Sequence, residues 1–327
     1  MCFLSIFALT MELRKIANNT VKIVLPLLLG GAILYWMYRD FDFSNIQHVL
    51  LHEMNWTWMI LSLPFGVLAQ AFRGWRWKQV LAPVNEHPRT SVCLNSIFLS
   101  YALSLIVPRV GEFARCGVLR RYDRIDFPKA LGTVVTERAV DTLIILIVTA
   151  LAFILQISVF ANFFSKTGTR IDDVFGMFTP MGWMVTVICG VAALILVYFI
   201  FKKLAINKRI GNTLSGVWQG VLSLKDVKNI PLFIFFSFAI WISYFLHYYL
   251  TFFCFDETAS LGLTCALVSF VVGSIAVIVP TPNGAGSWHF AVKTMLILYG
   301  VSDARALYFV LIVHTIQTFL VILLGIY

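Results

Sequence analysis

After sixteen mostly apolar residues, Ser91 to Ile106, the chain runs into Val107-Pro108-Arg109-Val110-Gly111-Glu112-Phe113-Ala114-Arg115, which places a proline, a glycine and three charges where a membrane span should continue. Pro and Gly release backbone N–H and C=O groups from the helical ladder, and hydrocarbon offers nothing to satisfy them. Broken backbone survives at membrane depth only where protein or a wet cavity covers it. A second break of this kind stands at Val279-Pro280-Thr281-Pro282-Asn283-Gly284-Ala285-Gly286. The two breaks are read as the walls of one site.

Lipid is the solvent this chain requires, because 60% of its residues are hydrophobic and 13% charged, against roughly 45–50% apolar residues in soluble domains. The net charge of +9 sits on basic residues clustered between apolar blocks, where they orient spans and meet anionic headgroups. A nucleic-acid partner is excluded on that ground. The six cysteines are scattered, with no C-x-x-C pair and no histidine at ligand spacing, so no metal and no cofactor is expected. The chain carries no G-x-x-x-x-G-K-[ST], G-x-S-x-G or H-E-x-x-H motif, so no catalytic residue is assigned and ATP is not the expected driving force.

Residues 1–21 read as a cytoplasmic N-terminal segment. Met1 to Thr10 lacks a basic n-region and a cleavage site, and Met11-Glu12-Leu13-Arg14-Lys15 reads as the more natural start, with 1–10 the product of a misplaced initiation codon. Residues 22–327 form a single transmembrane domain. Lys22 to Tyr38 crosses outward, with Arg14, Lys15 and Lys22 holding its start inside, and Arg39 to Asn55 is an external linker. From Trp56 the second span runs to about Phe72 and ends in Arg73-Gly74-Trp75-Arg76-Trp77-Lys78, a basic and aromatic collar expected at the cytoplasmic headgroups. Both flanks of Ser91 to Ile106 are basic, which one crossing cannot satisfy but a re-entrant hairpin turning at Pro108 to Gly111 can. Lys129 to about Phe160 crosses outward, Asn162 to Pro180 is external, and Met181 to Phe201 returns. Within the cytoplasmic connector 202–228, Ile210, Leu214, Val217, Val221 and Leu224 recur at helical spacing, as in an amphipathic helix on the inner leaflet. Pro231 to about Phe253 crosses again, Leu261 to Tyr299 is a second hairpin broken at Pro280 to Gly286, and Leu307 to Tyr327 is the last span.

The expected fold is thus an all-α polytopic membrane protein with about six full transmembrane helices, each of a length the bilayer sets, and two re-entrant helical hairpins. Span, hairpin, span recurs from Trp56 to Phe160 and from Pro231 to Tyr327 with opposite orientation, the inverted repeat of discontinuous helices that transporters use.

In each hairpin the helix after the break starts with unpaired N–H groups that attract an anion. Arg109 and Arg115 add fixed charge in the planar form that grips phosphate with two donors. Glu112 is placed to pair with Arg115 or Arg138. Glu137 and Asp141 share one helix face with Arg138 alongside, and ionisable groups inside a span mark function by default. His289 follows the second break and is read as a proton sensor or a headgroup donor, whereas His247 and His314 read as hydrogen-bonded packing residues.

Three motifs, Pro108-Arg109-Val110-Gly111-Glu112 with Arg115, Glu137-Arg138 with Asp141, and Pro280-Thr281-Pro282-Asn283-Gly284-Ala285-Gly286, together with Arg73 and the following Arg76-Trp77, resemble the lysylphosphatidylglycerol synthase transmembrane region family. This is the flippase-like membrane domain also found at the N-terminus of the bacterial multiple peptide resistance factor, and the similarity runs from about Lys22 onward. Two departures stand out: the family's Pro-Gly-Gly is Pro282-Asn283-Gly284 here, and His289 replaces its usual acidic residue. The resemblance implies translocation of a lipid with an anionic or aminoacylated headgroup, a phospholipid or polyprenyl phosphate, between leaflets of the inner (cytoplasmic) cell membrane. It does not imply synthesis, since the family's enzymatic half is a separate soluble domain. The expected substrate-binding residues are Arg73, Arg109, Glu112, Arg115, Glu137, Arg138, Asp141, Asn283, Gly284, Gly286 and His289. Expected protein partners are a second copy or a separate lipid-modifying enzyme. Two other readings stay open: a secondary transporter of a small solute, and a membrane enzyme acting on a lipid phosphate, for which Glu112 is the nearest acid.

Overall fold

A computed structural model describes residues 24–156 and 208–326, and every regular element in them is helical. The N-terminal segment, the loop Asn162 to Pro180, the returning span Met181 to Phe201 and the start of the connector lie outside the described residues. Helix α1 is Val24–Tyr38, followed by three short helical turns across the linker that precedes Trp56. Helices α2 (Trp56–Leu81), α3 (Thr90–Ser104), α4 (Val110–Asp123) and α5 (Phe127–Leu155) complete the first part. Helices α6 (Lys208–Leu222), α7 (Ile230–Tyr249), α8 (Gly262–Ala276), α9 (Ser287–Leu298) and α10 (Asp303–Ile326) form the second.

Three of these are long and apolar enough to cross a bilayer: α5, α7 with its extension to Cys254, and α10, while α1, α3 and α8 are shorter apolar helices. The sequence of a long helix, two shorter ones flanking a break, and another long helix occurs twice, as α2 to α5 and as α7 to α10. Helix α2 differs from expectation. It does not end at Phe72 but continues through the basic collar, and Arg73, Arg76 and Trp77 are buried, not held at a headgroup surface. Charge had suggested an exit, but nothing in the collar breaks a helix, and the chain turns only after Pro83, with left-handed Asn85 closing the end.

The chain divides into two compact units. The first comprises Met1–Arg73, Leu94–Arg115 and Ala239–Tyr327, around an aromatic core that includes Tyr248, Phe252 and Phe309 packed on Met59, Val292 and Leu296. The second comprises Gly74–Cys93 and Cys116–Phe238, with Val80, Val227 and Phe233 buried together.

In the second unit α6 docks on α5 at a pair of glycines. A Cβ at Gly132 would strike the Val217 carbonyl and one at Gly220 would strike the Lys129 carbonyl, so only glycine allows this approach. The Thr136 hydroxyl donates to the carbonyls of Gly220 and Val221 at 3.1 and 3.0 Å across the same contact. The connector therefore does contain a helix, but the face bearing Val217 and Val221, expected on the leaflet, lies against α5. Trp218, 62% exposed, and Leu222 point away from it.

Helix α3, the break and α4 fold back on themselves. At the base, in the second unit, Arg89 donates from its backbone N–H and its Nε to the two oxygens of Asp123 at 2.8 and 2.7 Å. At the tip, in the first unit, Gly111 lies directly against the Ser100 carbonyl, and Arg109 turns the chain with φ 64°. In the second hairpin α8 packs on α9, where a Cβ at Gly273 would stand 2.9 Å from the Trp288 indole nitrogen.

Arg305, in the first turn of α10, ties the linker down. It pairs with Glu53 and reaches Glu257 Oε1 at 3.0 Å. Its hydrogen bond holds the Glu53 carboxyl below the usual range. A carboxyl whose pKa is lowered on folding contributes stability above its unfolded pKa and loses it as pH falls through the folded value. Acidification should therefore lower the melting temperature of the wild type, and Glu53→Gln should flatten that acid-side dependence while leaving it unchanged above neutrality.

Candidate functional site

In the second unit Glu137 and Asp141 converge on Arg76. Its guanidinium is fully buried; Nη2 donates to Asp141 Oδ1 at 2.7 Å, Nη1 to Ser237 Oγ at 3.3 Å, and Nε stands 3.7 Å from Glu137 Oε1. The Phe233 ring faces it at 6.0 Å. Arg76 thereby joins α2, α5 and α7. Helical periodicity explains the set: Glu137 and Asp141 are one turn apart on α5 and present both carboxylates to one side. Burial of two carboxylates is tolerated because a guanidinium with hydrogen bonds lies between them. Arg138 is different in kind. Its side chain is 41% exposed, with Nη2 3.4 Å from the other Asp141 oxygen. Asp141 thus orients Arg138 outward, while Glu137 serves Arg76.

Arg76 was legible in the sequence only as part of the collar and was left out of the expected site. The signal that could have found it is the spacing Arg73-x-x-Arg76, two cations one turn apart on a helix that does not stop. Trp77, its neighbour, is also tied inward, with its indole N–H donating to Thr133 Oγ1 at 2.9 Å.

The first unit holds the other expected residues. Arg73 is buried with its guanidinium 5.9 Å from the ring centres of both Tyr101 and Tyr244. Arg115 is buried and Glu112 half-buried on α4, whereas Arg109 is exposed at the tip. At the second break Asn283 (φ 50°), Gly284 (φ 72°) and Gly286 (φ 87°) take the left-handed backbone that turns the chain. Asn283 donates to Thr318 Oγ1 at 3.0 Å, and its carbonyl accepts from His314 Nε2 at 3.2 Å. The second break is therefore sealed against α10 by a small hydrogen-bonded ring.

His289 neither faces solvent nor stands alone. It is 3% exposed, its ring centre is 4.4 Å from that of His314, and its Nδ1 accepts the Gly286 N–H at 3.3 Å. Reaching back from the third helical position to the capping N–H is what a carboxylate does in a capping box. His289 thus supplies in this chain the helix-start contact open to an acid at that position, which accounts physically for one of the two departures.

One cavity of about 190 Å3 lies within the first unit. Tyr101, near the first break, and Asn283 and Trp288, at the second, line it together with Gly66 and Gln70 of α2, Tyr244 and His247 of α7, and His314, Gln317 and Thr318 of α10. Gly66 is needed there, since a Cβ would stand 2.9 Å from His247 Nε2. The second break thus contributes Asn283 itself to the lining, whereas the first hairpin contributes Tyr101 of α3 and none of the residues of its break. Of the expected site residues, Asn283 lines the cavity and Arg73 lies over two of its tyrosines; Arg109, Glu112, Arg115, Gly284, Gly286 and His289 are not among its lining residues, and Glu137, Arg138 and Asp141 belong to the other unit.

Bilayer-length apolar helices, a buried ion cluster and a cavity with polar side chains among its apolar lining at a backbone break define a membrane protein with polar groups held inside it. More particularly, the chain belongs to the lysylphosphatidylglycerol synthase TM region family, whose model matches residues 23–325. Comparison with curated proteins and with solved structures finds no match.

Proposed function

We propose that the protein is a lipid flippase of the inner cell membrane that moves a lipid with an anionic or aminoacylated headgroup between leaflets without changing it covalently. The observation that carries this reading is the cavity at the second helix break, because strained backbone is retained in a membrane protein where it lines a path for a polar group. Membership of a family named for a lipid-related membrane region supports the lipid. In this reading α3–α4 and α8–α9 are re-entrant hairpins, the two halves are an inverted repeat, and α6 lies at the cytoplasmic side. In the first unit Arg109 at the exposed tip is a phosphate contact, with Arg73 and Arg115 adding positive field; in the second unit the outward Arg138, oriented by Asp141, is a phosphate contact in its own right.

The hairpin part is tested by labelling. The Arg89–Asp123 bridge joins the two ends of α3–α4, so cysteines at exposed His87 and Arg121 should react with an impermeant maleimide from the same side of the membrane. Labelling from opposite sides would remove the re-entrant hairpin and the repeat with it.

The headgroup part is tested by transport in liposomes carrying a labelled anionic phospholipid. Arg138→Lys should slow leaflet exchange about tenfold while the melting temperature holds, since a point charge replaces a two-pronged donor. Wild-type exchange in both Arg109→Ala and Arg138→Ala, at normal expression, would contradict the assignment.

A further inference from the structure

The lining of the cavity selects among headgroup chemistries. His247 Nδ1 lies 2.8 Å from the Ser62 carbonyl; a carbonyl only accepts, so Nδ1 carries the proton and Nε2 is left as a lone-pair acceptor. Gln70 is 5% exposed and brings a side-chain amide, both donor and acceptor, to the lining; its Oε1 is enclosed and has no hydrogen-bond partner among the described residues. Gln317 spends Nε2 on the His247 carbonyl at 3.4 Å, which leaves its Oε1. On the donor side, the Tyr244 hydroxyl donates to the Tyr101 oxygen at 2.9 Å, so the Tyr101 proton remains to be given. Amide, imidazole and phenol groups that between them both donate and accept therefore line the same space, and among the described residues that line it there is no carboxylate, lysine or arginine.

Those facts discriminate. A phosphate would find no lysine or arginine in the lining, and an ammonium no carboxylate, to offset the desolvation of its charge. Hydroxyl groups both donate and accept. Trp288 and the two tyrosines add aromatic faces of the kind that take the C–H face of a ring. The volume of about 190 Å3 has room for about six waters at about 30 Å3 each, more than a three-carbon polyol fills and about what one sugar ring displaces. We infer that this cavity binds a neutral, polyhydroxylated ring, the glycosyl headgroup of a lipid. Gln70, His247 and Gln317 hydrogen-bond its hydroxyls, and Trp288 takes its face. This rests on the flippase reading and adds a sugar to its anionic headgroup: the ring fills the cavity, and the phosphate of the same lipid lies beyond the tyrosines, toward Arg73.

The inference is tested with the full-length protein in phosphatidylcholine nanodiscs and a glucosyl diacylglycerol bearing a photoreactive diazirine on the sugar. Saturable labelling should map to peptides from α2, α7 and α9–α10. Gln70→Leu and Gln317→Leu should each weaken half-saturation about tenfold, the cost of one or two lost hydrogen bonds in a dry site. Gln317→Asn, which keeps the group on a shorter arm, controls for folding together with size-exclusion profiles. Competition by free methyl glucoside as strong as that by glucosyl lipid would assign the site to a free sugar and overturn the lipid part. Labelling no greater than that of a diazirine diacylglycerol without the sugar, or unchanged in both leucine variants, would overturn the inference entirely. Leaflet exchange measured in parallel keeps the two claims apart. Transport of a phospholipid with no sugar binding removes this inference alone, whereas sugar-lipid binding with no exchange of any lipid removes the flippase reading.

Discussion

Arg76→Ala should cost about 3–5 kcal/mol of stability, the range for removing one partner from a buried ion cluster. The reason is what stays behind: Glu137 is fully buried and Asp141 5% exposed, and without the guanidinium at 2.7 Å from Asp141 both carboxylates must be neutralised or hydrated within apolar helices. Thermal denaturation in detergent measures it. Replacing the whole cluster is a different experiment. Arg76→Met with Glu137→Gln and Asp141→Asn should restore most of the loss, because neutral groups of similar size need no counterion. Transport should not return with stability, since Asp141 also orients Arg138. A single Arg76→Ala variant as stable as the wild type would show that the cluster does not hold α2, α5 and α7 together.

The second large effect is at Gly111, where general propensity and local geometry predict opposite signs. Alanine is the better helix former by about 0.8–1.0 kcal/mol, so Gly111→Ala would stabilise an unencumbered helix. Here the new Cβ would overlap the Ser100 carbonyl, a backbone atom that cannot rotate aside. Forcing the limbs of the hairpin apart should cost about 1–3 kcal/mol for alanine, and Gly111→Leu should prevent the hairpin from closing. Ser100→Gly should not rescue either variant, because the obstruction is the carbonyl. Rescue would place the contact on the serine side chain instead, and a stabilised Gly111→Ala would mean the two limbs do not touch there.

Much of the architecture was legible because membrane helices announce themselves by apolar length and their breaks by proline and glycine. The two breaks, the long helices at 127, 230 and 303, and the shared face of Glu137 and Asp141 all follow from spacing. The collar misled because charge was taken as evidence of water: Arg73 and Arg76 are buried because aromatic rings and carboxylates from distant helices meet them, and no local pattern encodes those partners. Val217 and Val221 misled in the same way, since an apolar stripe does not say whether lipid or another helix will cover it. The glycines at 132 and 220 were the missing clue, because paired small residues on two helices mark a close crossing. His289 drew attention as a titrating group, yet it caps its own helix, and its partner is a backbone N–H that sequence chemistry does not display.

The central claim is that a lipid crosses between leaflets unchanged. It is tested most directly by reconstituting the purified protein in liposomes with a labelled anionic phospholipid or polyprenyl phosphate. The account predicts that the fraction of label accessible from outside rises with protein, slows with Arg138→Lys, and is accompanied by a constant lipid mass. Unchanged accessibility at every protein density, or a new lipid mass formed by the protein alone and abolished by Glu112→Gln, would contradict it.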